Sequence, residues 1–322
     1  MKQKYVAQLK VEDKITDFYM VKATGVKQDT NGRSYLDIML MDNSGEITAK
    51  KWDLPDEEAA SLSELKEGDL VKVKGQITDW KNQKQIRIEK IRKAAESDGL
   101  EISDFVKSAP EDPQEMYDFI HKTVEEFEDA HLRTLALRFL DSEKERLLYY
   151  PAASKNHHAE MGGLLYHIKR MLMAGMRACE VYTCLNRDLL LCGVVVHDME
   201  KLNEIESDKN GVSPGYSFEG QLLGHIVQGV REIERMTKEI EGFPREKAIM
   251  VEHMILSHHY EPEYGSPKKP LFPEAEMLHY LDIVDARMFD FEEALSKTEP
   301  GDFSDRVFTL DNRRIYKHSE DF

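Results

Sequence analysis

Residues 189–202, LLLCGVVVHDMEKL, decide how the larger part of this chain is read. The apolar run 189–196 is far too short to span a bilayer, so it predicts a buried helix that delivers His197 and Asp198 side by side near its end. Burying a carboxylate costs on the order of several kcal/mol unless it is paired or binds a metal. A lone His-Asp pair at a helix end is ordinarily a solvated cap, but this pair has company. Upstream, GGLLYHIKRM sets His167 three residues after Leu164 and four before Met171, on the same apolar face. Downstream, GQLLGHIVQG sets His225 three residues after Leu222, again on the apolar side and next to the small Gly224. EHMILSHHY ends an apolar helix with His258 and His259, and LHYLDIVDARM carries Asp282 with Asp285 one turn later. Each histidine alone reads as a core residue with one hydrogen bond. Five helices that all turn such groups inward would bury uncompensated polarity unless a cation binds there. Mixed nitrogen and oxygen ligands suit Mn, Fe, Co, Ni or Zn better than magnesium.

Composition sets the frame for that cluster. The 322 residues exceed the usual size of one core, so two domains are expected. Eight of the twelve histidines fall between residues 157 and 259, which itself suggests metal. Cys179, Cys184 and Cys192 lack paired spacing and read as buried thiols. The formal net charge is -17, which argues against unspecific coating of nucleic acid. Residues 1–95 hold 18 Lys+Arg against 16 Asp+Glu, leaving 26 against 45 for the remainder, so nearly all the negative charge lies after residue 95. The opening MKQKYVAQLKVEDK has no continuous apolar core of the secretory kind, and a cytoplasmic protein without membrane association is expected.

The first ninety residues show a different period. Leu36, Ile38 and Leu40 alternate with Tyr35, Asp37, Met39 and Met41, and Val71 and Val73 with Lys72 and Lys74, as strands with one buried face require. Strands are predicted over 15–26, 34–41, 46–52, 70–78 and 84–91, with a helix over 55–65 between the third and fourth. That order is the five-stranded OB-fold β-barrel, with a generic small barrel as the alternative. OB barrels hold single strands on basic residues and stacking aromatics. The candidates are Tyr35, Trp52, Trp80, Lys81 and Lys84, within a basic strip that continues through Arg87, Lys90, Arg92 and Lys93. An aromatic at a strand end is more often packing than platform. Residues 94–115, polar, acidic and proline-containing, read as a linker, and from 116 the pattern turns helical. The expected domains are 1–93 (barrel), 94–115 (linker) and 116–322 (an all-α bundle).

The order His, His-Asp, His, His-His, Asp resembles the HD-domain superfamily of metal-dependent phosphohydrolases. The resemblance implies that His167, His197, Asp198 and Asp282 hold one metal. Asp198, as a bridge, would hold a second with His225 and either His258 or His259. Asp285 would then stand behind the ligands or face substrate phosphate. Lys201 matches a lysine that follows the His-Asp pair in several relatives, which implies contact with a nonbridging phosphate oxygen. A solvent-facing lysine is the alternative, and Glu200 stands where those relatives often have glycine. His157 and His158, in KNHHAEMGG, are candidates for substrate phosphate at the mouth of the site. His253 lies off the ligand register, and His121, His131, His279 and His318 read as surface or core. One subgroup of the superfamily suggests manganese.

With the barrel in front, the segments GGLLYH, HDMEK, LLGHI, SHH, LDIVDA and LDNRRIYK resemble the YhaM family of bacterial 3'-5' exoribonucleases, some described as cmp-binding factors. That resemblance implies stepwise removal of nucleotides from single-stranded RNA, with single-stranded DNA as a second substrate, by a manganese-dependent homo-oligomer. Two rivals stay open. One is an HD-type phosphohydrolase of small nucleotides whose barrel serves assembly, and the other is a noncatalytic factor that binds single strands or replication DNA around a structural metal.

Overall fold

The computed structural model describes residues 2–30, 32–81, 83–153, 160–209, 211, 213 and 215–320. The chain divides into two compact units, Met1–Ser108 and Ala109–Phe322.

Alternation builds the first unit. Strands β1 (Lys14–Gln28), β2 (Ser34–Asp42), β3 (Gly45–Lys51), β4 (Leu70–Trp80) and β5 (Gln83–Lys93) close into a barrel in the order β1-β2-β3-β5-β4. All pairings are antiparallel except β3 with β5. The residues of one parity, Leu36, Ile38, Leu40, Val71, Val73, Ile86 and Ile88, fill the interior. Helix α1 (Asp56–Leu62) lies between β3 and β4 in sequence, and Leu54, Leu62 and Leu65 around it join the same core. The five strands and the helix fall where the alternation places them. Part of the expected linker groups with this unit: Phe105 and Val106 are buried. The Asn43 amide donates to the Asp104 carbonyl at 3.1 Å, and the Tyr5 hydroxyl donates to the Asp104 carboxylate at 2.6 Å. Residues 109–115 group with the helices.

The second unit is a bundle of eight helices among the described residues: α2 (Pro113–Glu125), α3 (Ala130–Leu147), α4 (Gly163–Val181), α5 (Arg187–Val196), α6 (Lys201–Glu204), α7 (Phe218–Glu239), α8 (Arg245–Ser257) and α9 (Pro273–Ser296). Side-chain caps mark several starts: Asp112 before α2, Asp129 before α3, Asn186 before α5 and Ser217 before α7 each accept from backbone N–H groups of the first turn. Helix α5 is apolar all round because it is the centre of the bundle, packed against α3, α4, α8 and α9, with residues 188–196 all buried. The buried helix expected from residues 189–202 is broken in two, since α5 ends at Val196 and a turn carries His197 and Asp198 before α6. Two short antiparallel ladders decorate the bundle: β6 (Ile205–Glu206) with β7 (Gly215–Tyr216), and β8 (Phe303–Val307) with β9 (Arg313–Tyr316). Among the described residues no helix is long and apolar enough to cross a membrane.

Candidate metal centre and nucleic-acid groove

Three helices, α4, α7 and α9, and the turns that follow α5 and α8 bring the predicted ligands to one place. Asp198, 1% exposed, stands at the middle. Around its carboxylate lie four imidazole Nε2 atoms: His197 at 3.3 Å and His167 at 3.8 Å from Oδ2, and His225 at 3.4 Å and His258 at 3.7 Å from Oδ1. Asp282 Oδ1 is 3.4 Å from His167 Nε2, and the His258 and His259 rings are 4.1 Å apart. The ligand atoms sort into two sets whose members lie within 4.8 Å of one another. One is Asp198, His225, His258 and His259, and the other is His167, His197 and Asp282. Both His258 and His259 therefore belong to the cluster.

What the rings do on their far sides fixes what they offer inward. Nδ1 of His197 meets the Val194 carbonyl at 2.9 Å, that of His258 the Ile255 carbonyl at 2.7 Å, and that of His259 the Tyr264 carbonyl at 2.7 Å. A carbonyl oxygen only accepts, so in each ring Nδ1 carries the proton and Nε2 presents a lone pair. His167 Nδ1 meets Asp285 at 2.7 Å, and His225 Nδ1 meets Glu204 at 2.9 Å. Nε2 of His197, His225 and His258, together with Asp198 Oδ1, are buried and have no hydrogen-bond partner among the described residues. Lone pairs facing lone pairs in a dry interior are unfavourable without a cation among them, so the donor set fits divalent metal. A proton on one ring's far nitrogen, anchored by a carbonyl or carboxylate, is the usual support of a metal-binding histidine.

The electrostatics agree. Burial, followed by the neighbouring His259 and His197, holds His258 well below the ordinary imidazole range, and burial also lowers His259. Burial pushes His167 down too, but Asp282 and Asp285 outweigh it and lift the ring to about 9, so without a cation it holds a proton that metal would displace. Burial works against Asp198 as an anion, yet Lys201 and His197 keep it well below the usual carboxylate range.

Lys201 turns inward: its Nζ lies 2.6 Å from Asp198 Oδ2 and its side chain is 13% exposed. Asp285, read as standing behind the ligands or facing phosphate, lies behind His167, and its other oxygen takes the Arg170 Nε–H at 2.6 Å. His157 and His158 fall outside the described residues.

His225 reaches the cluster by a route the helical spacing does not give. Leu222, expected on its face, is 67% exposed. The register breaks at Gly224, whose φ of 69° and ψ of 160° belong essentially to glycine alone. A new helical segment then starts at His225, and its free backbone N–H is taken by Glu204 at 3.1 Å. Glu204 thus holds both the backbone and the ring of one ligand. Sequence reading missed it because KLNE has no apolar period and no histidine. It also missed Arg170, while His279, read as surface or core, is a core residue whose Nδ1 donates to the His258 carbonyl at 2.7 Å.

On the barrel, Tyr35 and Trp52 stack with ring centroids 4.6 Å apart, and Lys50 Nζ lies within 5.7 Å of both rings. Trp80, 65% exposed, and Lys84 line an outer groove of about 470 Å³ with Lys27 and Lys50. Lys81 sits at the tip of the β4–β5 turn in a left-handed conformation, φ 55°. Lys84 Nζ donates to the Leu9 carbonyl at 2.7 Å, and at the far end of the strip Arg92 and Lys93 pair with Asp98 and Asp69. Lys27 and Lys50 are the basic residues of the groove that the strip on β5 did not indicate.

Residues 19–94 match the family described as OB-fold nucleic acid binding domain, and residues 164–287 match the HD domain family. Among solved structures, the chain is similar to the second OB-fold domain of replication protein A from Methanococcus maripaludis (22% identity over 29% of this chain and 94% of that one, TM-score 0.23). It is also similar to the single-stranded DNA binding protein from Thermus aquaticus (17%, 26% and 40%, TM-score 0.22). A third is asparaginyl-tRNA synthetase from Pyrococcus horikoshii (15%, 46% and 36%, TM-score 0.25). At these scores the likenesses bear on neither substrate nor mechanism. The chain is an N-terminal closed five-stranded OB-fold barrel followed by a helical HD domain. Those two parts fit a nucleic-acid-processing hydrolase, and the HD domain suggests metal-dependent phosphohydrolase chemistry.

Proposed function

We propose that this protein is a metal-dependent 3'-5' exoribonuclease of the YhaM kind, which holds single-stranded RNA, and secondarily DNA, on its barrel and hydrolyses the terminal phosphodiester in its HD domain. The observation that carries the reading is the ring of inward lone pairs around Asp198, each imidazole fixed from behind. His167, His197, Asp198 and Asp282 would hold one divalent ion, and Asp198, His225, His258 and His259 the other, with manganese the expected metal. Ions held there would supply an acidified water and offset the charge that develops on the phosphate oxygens.

The remaining work falls to the chain's own groups. The outward bonds of Nδ1 leave Nε2 of His197, His225 and His258 facing inward and aimed. Lys201 holds a positive charge beside Asp198, where a nonbridging phosphate oxygen would be neutralised. The apolar wall contributed by α5 keeps bulk water from the ligands and strengthens these interactions. The barrel supports a polymer as substrate rather than a free nucleotide, because Trp80 and the Tyr35–Trp52 pair offer ring faces beside lysines. Polarity and the preference for RNA follow from the resemblance carried by the GGLLYH, HDMEK, LLGHI, SHH and LDIVDA segments, and assembly as a homo-oligomer inside the cell from the same source.

Purified protein with manganese should shorten 5'-labelled RNA progressively and release mononucleotides. RNA left intact over hours would overturn the exonuclease reading. Changing Trp80 and Lys81 should weaken RNA binding without altering hydrolysis of a small nucleotide; indifference of RNA to both would favour the small-nucleotide rival.

A further inference from the structure

The connection from α8 to α9, residues 258–272 (HHYEPEYGSPKKPLF), opens on two histidines of the cluster and then carries two tyrosines followed by two adjacent lysines. Bonds to the site itself hold it in place. The His259 N–H donates to Ser266 Oγ at 3.1 Å, Ser266 is wholly buried, and His259 Nδ1 donates to the Tyr264 carbonyl. Gly265, φ 98°, lies against Ile226, the neighbour of His225, so closely that a Cβ would sit 3.2 Å from its Cδ1. The loop is therefore seated against the residues that carry His225 and His259.

On that fixed backbone the Tyr264 ring is 71% exposed. Tyr260 packs against His279 with centroids 4.8 Å apart, and Lys269 Nζ stands 4.4 Å from the Tyr260 centroid. Lys268 is exposed beside it. Glu261 and Glu263 precede Tyr264 and the two lysines follow it in sequence, while the fold brings Lys269 Nζ to 3.6 Å from Glu261 Oε1, an exposed pair that a phosphate can replace. This matters because residues 96–322 hold 26 basic against 45 acidic groups, a net negative charge that disfavours a phosphate polymer. Ring faces beside lysines are what a single strand binds, and here they adjoin the proposed metal ligands.

Resting on the function proposed above, we infer that the loop of residues 260–269 grips the single strand next to the bond that is cut. Tyr264 stacks on a base, and Lys268 and Lys269 neutralise the flanking phosphates.

Tyr264→Ala keeps the carbonyl that anchors His259, so bound manganese, measured alongside, should match the parent. The ratio of kcat/KM on an RNA oligonucleotide to that on methyl p-nitrophenyl phosphate, which has no base, should fall about 5- to 150-fold. Lys268→Ala with Lys269→Ala should reduce the slope of log KM against log salt by about 1.4, roughly 0.7 for each phosphate of a single strand that is no longer neutralised. An unchanged ratio and an unchanged slope overturn the inference. A third arm does not depend on turnover: an oligonucleotide ending in 3'-terminal 4-thiouridine, irradiated with the Asp198→Ala protein and manganese, should cross-link to peptides from 260–269. Cross-links confined to barrel peptides overturn the inference even if RNA is hydrolysed. Cross-links in the loop uphold it even if the unaltered protein cuts no RNA, an outcome that sinks the exonuclease reading alone.

Discussion

Glu204→Gln separates the two tasks that one carboxylate performs for His225. Oε2 accepts the ring Nδ1–H at 2.9 Å and Oε1 accepts the backbone N–H at 3.1 Å, and burial of the carboxylate is outweighed by His225, which holds Glu204 below its usual range. A glutamine of the same shape has one accepting oxygen and one donating amide, so it serves one donor and turns an N–H toward the other. A buried donor left without a partner costs about 1–3 kcal/mol, and losing the outer carboxylate of a metal-binding histidine lowers affinity about 10- to 100-fold, or roughly 1.4–2.7 kcal/mol. If the oxygen turns to the backbone, the ring loses its anchor and the loss falls on metal binding. If it turns to the ring, the helix start at His225 is uncapped and the loss falls on stability. Calorimetric titration with manganese, beside thermal unfolding of the metal-free protein, reads both. The variant should lose at least tenfold in affinity for one ion, or roughly 2–12 °C in Tm for a unit of this size. An affinity and a Tm both equal to the parent's would refute the role assigned to Glu204.

Three further outcomes are expected. Asp198→Ala should abolish hydrolysis while an oligonucleotide still shifts on a native gel, because the change removes the centre of the cluster and leaves the barrel; retained activity would contradict the chemistry. Gly224→Ala should destabilise the protein by about 1–3 kcal/mol, since its backbone conformation is closed to alanine; a thermal unfolding curve that superimposes on the parent's would show that the break in α7 is not required. Burial pushes the Cys192 thiol up to about 12, whereas Cys184 is exposed, so iodoacetamide at pH 8 should label Cys184 in the folded protein and reach Cys192 only in denaturant. Equal labelling rates, read by mass spectrometry, would contradict the packing of α5.

The parts of the molecule that were legible in the sequence are those where a period or a clustered residue type reports one physical constraint. The alternation Leu36, Ile38, Leu40 survives because the barrel buries one face of β2, and the apolar run before His197 survives because α5 is surrounded. What escaped depends on backbone geometry or on single bonds. The expectation that His225 shares a face with Leu222 assumes an unbroken helix, and Gly224 breaks it. Strands of two residues, as in the ladder of β6 and β7, have no period to detect. Phe105 and Val106 are two apolar residues in an acidic stretch, too few to outweigh its composition, yet they pack onto the first unit. A tether such as Lys84 to the Leu9 carbonyl joins residues 75 positions apart and leaves no local trace.

Helix ends explain why ligands lie where they do. His197 and His258 each follow the last residue of an apolar helix, and each turns Nδ1 back to the carbonyl three residues before it, Val194 in α5 and Ile255 in α8. The last four carbonyls of a helix have no partner within it. An imidazole at the cap satisfies one of them and, by the same bond, is locked in the tautomer that presents Nε2. The two caps meet with ring centroids 5.1 Å apart, so the negative ends of two helix dipoles come together there. That field disfavours further anionic charge and favours cations, and Asp198, one residue beyond the first cap, adds a full negative charge to it. A mutation that extends α5 or α8 past its cap would remove the donor, the tautomer and the dipole end at once. This is why the order apolar helix, then His-Asp or His-His, points to a metal site more strongly than any single histidine in it.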